Sequence, residues 1–340
     1  FDFTRASSAT VVNKAGLIET VGGGEPRIDF SNDAKGALLL EPTRSNLVAY
    51  SEDFTQWIGA SYITSNYAIS PDGTLNASRL LFTGAGQEIK YNLTTSSSTS
   101  GSIYVKGISG KTIRFGLKGS ENNFTLNGNW QKLEIQGTET SNKITLNTYG
   151  SVTARDLSIY GAQLEQGSYA SSYIPTQGSA VTRSADASSQ TVPSGIIGQT
   201  EGTMFFEIDF ANTSGVAGAW SISSGSSANR ITMNTLGFSL TQFTLSIAQN
   251  YNSSSTKLVS TNVTYSDNHK VAIKYSATTL KLFVDGQLAD SVATDGFGNY
   301  TKFYLGGNQV GVGGDARKFI QADLYNTALT DTELAALTKI

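Results

Sequence analysis

The chain has 340 residues, 39% hydrophobic and only 15% charged, with a net charge of −3 and no cysteine. No basic block is present to attract nucleic acid or an anionic membrane, and no apolar run of about 18 residues is present to span a bilayer. The lack of cysteine excludes thiolate metal sites and cysteine nucleophiles, so any core must hold without disulfides.

Residues 1–46 read as an N-terminal attachment segment of short strands. Thr10-Val11-Val12 and Leu17-Ile18-Glu19 flank the turn Asn13-Lys14-Ala15-Gly16. The start at Phe1, not Met, reads as a segment trimmed from a longer protein. Residues 47–185 read as a first jelly roll. Ile113, Phe115 and Leu117 alternate with polar neighbours, and so do Leu133 with Ile135 and Ile144 with Leu146, with glycines between the runs. Residues 166–203, rich in Ser, Gly and Thr and holding Pro175 and Pro193, read as a linker.

Residues 186–340 read as a second sandwich. Met204, Phe206, Ile208 and Phe210 share one face of a strand. Val271, Ile273 and Tyr275 form the inward side of another, and Leu280, Leu282 and Val284 of a third. Asp285-Gly286 then supplies a tight hairpin turn. Thr330-Asp331-Thr332-Glu333 is a capping box opening one short C-terminal helix. The expected fold class is therefore all-β: two antiparallel β-sandwich (jelly-roll) domains with a short N-terminal β segment.

The second sandwich, with two strands around Val284-Asp285-Gly286 and then Ala328-Leu329-Thr330-Asp331-Thr332-Glu333-Leu334, resembles the laminin-G-like, concanavalin A-like lectin domain. Arg5-Ala6-Ser7-Ser8-Ala9-Thr10 and Leu40-Glu41-Pro42-Thr43-Arg44-Ser45-Asn46-Leu47 resemble opening segments of tailed-bacteriophage virion proteins. Ser70-Pro71-Asp72-Gly73 is similar to a motif of carbohydrate-binding-module-like jelly rolls. Tyr160-Gly161-Ala162-Gln163-Leu164-Glu165 and Tyr173-Ile174-Pro175-Thr176 resemble the exit of that module in tail-fibre and head-fibre proteins.

The resemblance implies a non-catalytic virion surface protein, a fibre or a capsid or tail decoration, that works in adhesion. It implies other virion proteins and a cell-surface polysaccharide as partners, and an extracellular place on the particle. Symmetric assembly adds a homo-oligomer, trimeric as a first expectation, held through its N-terminal segment. The alternative is a carbohydrate-binding accessory region of a secreted bacterial glycoside hydrolase.

Catalysis has a weak footing in the residues. Glu207-Ile208-Asp209 begins like the Glu-X-Asp-X-X-Glu strand of laminarinase-type hydrolases, but the third acid is replaced by Asn212. The two carboxylates are therefore expected to be solvent-facing charges. His269, the one histidine, is expected in a surface turn, without the partners of a triad or a zinc site. No cofactor is required. A structural calcium is allowed for, with Asp72, Asp295 and Asp315 as possible contributors. Aromatic rings stack on sugar faces, so Trp57, Tyr62, Trp220, Tyr251 and Tyr300 are the candidate ligand contacts, with Tyr67 and Trp130 beside them. Trp57 and Trp220 are read first as core.

Overall fold

The computed structural model describes residues 2–93, 99–117, 120–137, 143–150, 154–210, 216–237, 242–251, 257–264, 268–294, 296–308, 311–312 and 317–340. Strands pair antiparallel throughout the described residues, and the α-helix there is Asp331–Leu337. The chain divides into two compact units. One, the C-terminal sandwich, gathers Phe1–Ser7, Gly22–Pro42 and Ser184–Ile340; the other, the central sandwich, gathers Ser8–Val21 and Thr43–Arg183. The first 42 residues are thus shared between the two and form no third body.

The C-terminal sandwich consists of two seven-stranded sheets. Alternation explains its core. Phe206 and Ile208 of the strand Gly202–Asp209, with Val271 and Ile273 of Asn268–Ser276, meet Trp220, Ile222, Met233 and Leu245 of the other sheet, all fully buried. Phe206 stacks on Trp220 with ring centroids 4.7 Å apart. Full burial of each such ring is worth about 2–3 kcal/mol. The N-terminal pieces complete these sheets. Asp2–Thr4 pairs with Ala187–Thr191, and Ala37–Leu40 inserts between Arg27–Asp29 and Arg317–Tyr325.

Polar anchoring accompanies that insertion. Arg5 Nη1 donates to Asp186 at 2.9 Å, Arg27 pairs with both Asp186 and Glu41, and the Glu41 amide donates to Asp186 at 2.8 Å, all out of solvent. Asp285 and Gly286 both take positive φ, 50° and 84°, as the expected hairpin turn requires. The capping box at Thr330 and Glu333 is present, and Leu334 of the helix covers Phe205, Ala272 and Phe283 on the outer side of its sheet.

The central sandwich packs a five-stranded sheet on a four-stranded one. Leu80, Phe82, Ile103, Val105 and Ile159 from the first interdigitate with Ile113, Phe115, Ile144 and Leu146 from the second. The hairpin of Ala9–Val12 and Ile18–Val21 lies with this unit, with Ile18 against Tyr160 and Tyr173. Two expectations change. The stretch read as a linker is packed: Tyr169, Tyr173 and Ile174 are buried, and Val181–Arg183 pairs with Arg44–Asn46. His269 is no surface turn residue. It sits inside Asn268–Ser276 with the parity of Val271 and Ile273, so its ring points inward, 5% exposed, 2.6 Å from Asp285 and 3.1 Å from the Thr264 carbonyl.

Candidate functional site

The structure separates the aromatic candidates by burial. Trp57 is packed between Phe54 and Tyr91, Trp220 is fully enclosed, and Tyr300 lies edge-on to Tyr275. Each sits in a core, with its faces covered by protein, so none of the three presents a platform. Tyr62 is half-buried, its ring edge-on to Phe82 at 5.3 Å. Tyr251 is half-buried against Gly296, where even a Cβ would meet its ring at 2.8 Å. Tyr67 differs: it is 50% exposed.

Tyr67 stands at one edge of the five-stranded sheet of the central sandwich, in the strand Ile63–Ala68. The pairing of this strand with Ala77–Phe82 is irregular between Thr64 and Ala68, and Asn66 there has φ 52°. Asparagine is one of the few non-glycine residues that accepts the left-handed region, and a bulge of this kind re-aims the next side chain. The guanidinium of Arg79 lies over the Tyr67 ring, 5.1 Å from its centroid.

Arg79 in turn holds Asp156 bidentately, Nε to Oδ1 at 2.8 Å and Nη2 to Oδ2 at 2.7 Å. The bonds from Arg79, ahead of burial, hold the Asp156 carboxyl below its ordinary range, so it stays an acceptor. Register extends the row. Arg79 pairs with Ser158, and Ser158 with Lys106 on the next strand. These three side chains therefore line up on the outer face over about 10 Å. Inward neighbours Leu80, Ile159 and Val105 are in the core, which fixes that orientation.

One side of this row carries apolar surface. Trp130, half-buried, donates its indole N–H to the Ile69 carbonyl at 3.2 Å, and Ile69 itself is 56% exposed. The loop holding Ile69 is anchored at Asp72. Burial pushes the Asp72 carboxyl up, but bonds from Ser70, Thr74 and Asn76 outweigh it and hold it at about 2. The Tyr160 hydroxyl reaches the same carboxylate at 3.0 Å. Asp72 thus organises its own loop, and its oxygens are occupied by those donors. Asp295 and Asp315, the other residues considered for calcium, lie outside the described residues. Among the described residues no group of three or more His, Asp or Glu side chains converges on a metal position.

The acids tested for catalysis do not form a pair of free carboxylates. Asp209 is buried and accepts from Asn32 Nδ2 at 3.1 Å, which corrects its expected solvent-facing place; Glu207 is half-buried beside Lys270 and Gln321 in register. Asn212 lies outside the described residues. What the geometry provides on the central sandwich is a polar shelf (Arg79, Asp156, Ser158, Lys106) bordered by Tyr67, Ile69 and Trp130. It can stack on a ring and exchange hydrogen bonds with hydroxyls. Sequence reading found Tyr67 and Trp130 but missed Arg79 and Asp156, which lie 77 positions apart and meet only through strand pairing.

No protein-family model matches the sequence, and no curated protein matches it significantly. Solved structures with related architecture include the IT-sialidase CBM40 of Ruminococcus gnavus, at 18% identity over 42% of this chain and 84% of that one, TM-score 0.36. A second is the ligand-binding domain of botulinum neurotoxin serotype D in complex with N-acetylneuraminic acid, at 11% identity over 45% and 39%, TM-score 0.36. A third is the heptameric SAP-like pentraxin of Limulus polyphemus, at 11% identity over 45% and 81%, TM-score 0.31. At these scores no site residue is carried across from them. The all-β sandwich class rests on the chain's own strands.

Proposed function

We propose that this chain is a non-catalytic glycan-binding protein whose sugar site is the Tyr67 shelf of the central sandwich. The observation that carries the reading is one exposed aromatic ring beside a planar Arg79–Asp156 pair and the Ser158–Lys106 row. A pyranose presents an apolar C–H face to such a ring and hydroxyls at its rim. Those hydroxyls can donate to a carboxylate and accept from a guanidinium or an ammonium.

The finer reading places the chain on a phage particle, as fibre or decoration, in several copies; the sequence motifs of residues 5–10, 40–47 and 160–176 support it. Multiple copies would multiply a weak single-site affinity. The accessory region of a secreted glycoside hydrolase remains the alternative, and the parent chain's other segments distinguish the two: a hydrolase domain favours the alternative.

Glycan-array binding of the whole chain tests the site. The expected result is a defined set of glycans bound by the native protein and lost together in Tyr67→Ala and Asp156→Ala. Binding that both variants retain in full would place the site elsewhere. Hydrolysis of any bound glycan would end the non-catalytic reading.

A further inference from the structure

A separate feature lies on the C-terminal sandwich, far in chemistry from the polar shelf. On one side the strand Arg317–Tyr325 is paired by Gly202–Asp209 from Lys318 to Tyr325, with a register shift that skips Ile320. On its other side Ala37–Leu40 pairs only with residues 317–319, as Leu40 with Arg317, Leu39 with Lys318 and Leu38 with Phe319. Among the described residues no strand pairs with that edge of residues 320–325. Along that edge runs a groove of about 740 Å³, walled by Val192, Pro193, Ile196, Phe303 and Leu324, with Asp323 at its rim. Ile196 is 48% exposed.

Unpaired edges are ordinarily protected by proline, by lysine, by a bulge or by covering chain. Residues 321–325 read Gln-Ala-Asp-Leu-Tyr, with neither proline nor lysine, and the register shift of the strand lies before them, at Ile320. The volume lies within the range of specific ligand sites, and its walls are mainly apolar, with Gln190, Asp323 and Tyr325 adding polar groups. A backbone edge with no strand beside it among the described residues, next to a mainly apolar trough, matches one ligand geometry, an extended strand. Such a strand alternates one side chain into the trough and the next outward. The rim carries one uncancelled sign. Asp323 takes a hydrogen bond from Gln321 Nε2 at 2.6 Å but no cation approaches it among the described residues. Burial first, then Asp323, raises the pKa of the neighbouring Tyr325 hydroxyl, as a negative, partly desolvated rim requires.

We propose that this edge and groove take an extended peptide strand of another protein, apolar on its inward side and basic where it passes Asp323. The strand would continue the line of Ala37–Leu40 beside residues 320–325.

The test uses the whole chain and a fluorescein-labelled Lys-Val-Lys-Val-Lys-Val peptide, followed by fluorescence anisotropy. Saturable binding is expected. N-methylation of every valine amide, or of every lysine amide, should abolish it in one set and spare the other, because only alternate amides face the edge. Ile196→Asp, at an exposed wall position, should weaken binding while leaving thermal unfolding unchanged. Asp323→Lys should shift preference toward Glu-Val-Glu-Val-Glu-Val by about three-fold, the size of one cross-strand ion pair. No binding, equal binding of both N-methylated sets, or a preference that Asp323→Lys leaves unmoved would overturn the proposal. So would a dimer in sedimentation that Ile196→Asp dissolves, since a second copy would then own the groove.

Discussion

Among single residues, a few charged groups are held by neighbours that leave them little choice. Asp186 is the clearest. It faces Arg5 and Arg27 with all three side chains buried away from solvent. Asp186→Ala would leave two guanidinium groups buried short of their counter-ion. We expect a loss of about 3–5 kcal/mol in the stability of the C-terminal sandwich, measured by urea unfolding. A change below about 1 kcal/mol would mean that the cluster is compensated elsewhere. Asp72 carries a pH signature. Its folded pKa is depressed from 3.8 to about 2, so its contribution is present above pH 3.8 and is lost as pH falls through about 2. Proteolysis of residues 69–76 should therefore accelerate between those values, and Asp72→Asn should remove that acid-dependent step. Asp186 does not announce itself in sequence, because it meets a partner 181 positions away, whereas the bonds that depress Asp72 come from Ser70, Thr74 and Asn76, all within four residues of it.

Elements show where reading residues in order succeeds and where it stops. Alternation in Ile113-Arg114-Phe115-Gly116-Leu117 and in Val271 to Tyr275 was legible because each strand buries one face, and the two sandwich cores follow from it. Local chemistry was equally legible at Asp285-Gly286 and at the Thr330 capping box, since both are set within four residues. The linker reading failed because Ser- and Gly-rich composition reports solubility of the surface only. Tyr169, Tyr173 and Ile174 in that stretch are the residues that dock it. Tyr67 could be named as an aromatic, but its exposure depends on the irregular pairing at Asn66, which no period reveals. Asn66→Val should cost about 1–2 kcal/mol, because a β-branched residue resists positive φ, and should weaken glycan binding with it. Asn66→Gly should preserve stability within about 0.5 kcal/mol. Equal effects of the two would show that the φ angle is not what aims Tyr67.

The whole chain is built as two cores sharing one N-terminal segment. Asp2–Thr4, Arg27–Asp29 and Ala37–Leu40 are strands of the C-terminal sandwich, which itself resumes only at Ser184. Removing residues 1–46 should therefore lower the unfolding temperature of that sandwich by well over 5 °C, the scale of a loss beyond 1–2 kcal/mol, in scanning calorimetry. An unchanged transition would make the segment a mere appendage. The long sequence separation of these pairings is also why the segment read as a separate module: contacts to strands some 185 or more positions later leave no local pattern. The sugar site on the central sandwich is reached by a calorimetric comparison of three proteins. Isothermal titration of the strongest array ligand should be run on the native chain, on Tyr67→Ala and on Tyr149→Ala, a second exposed aromatic on the same unit that lies off the shelf. Tyr67→Ala should weaken binding about ten-fold, with Tyr149→Ala unchanged. Equal affinity of all three proteins, or a loss confined to Tyr149→Ala, would contradict the assignment.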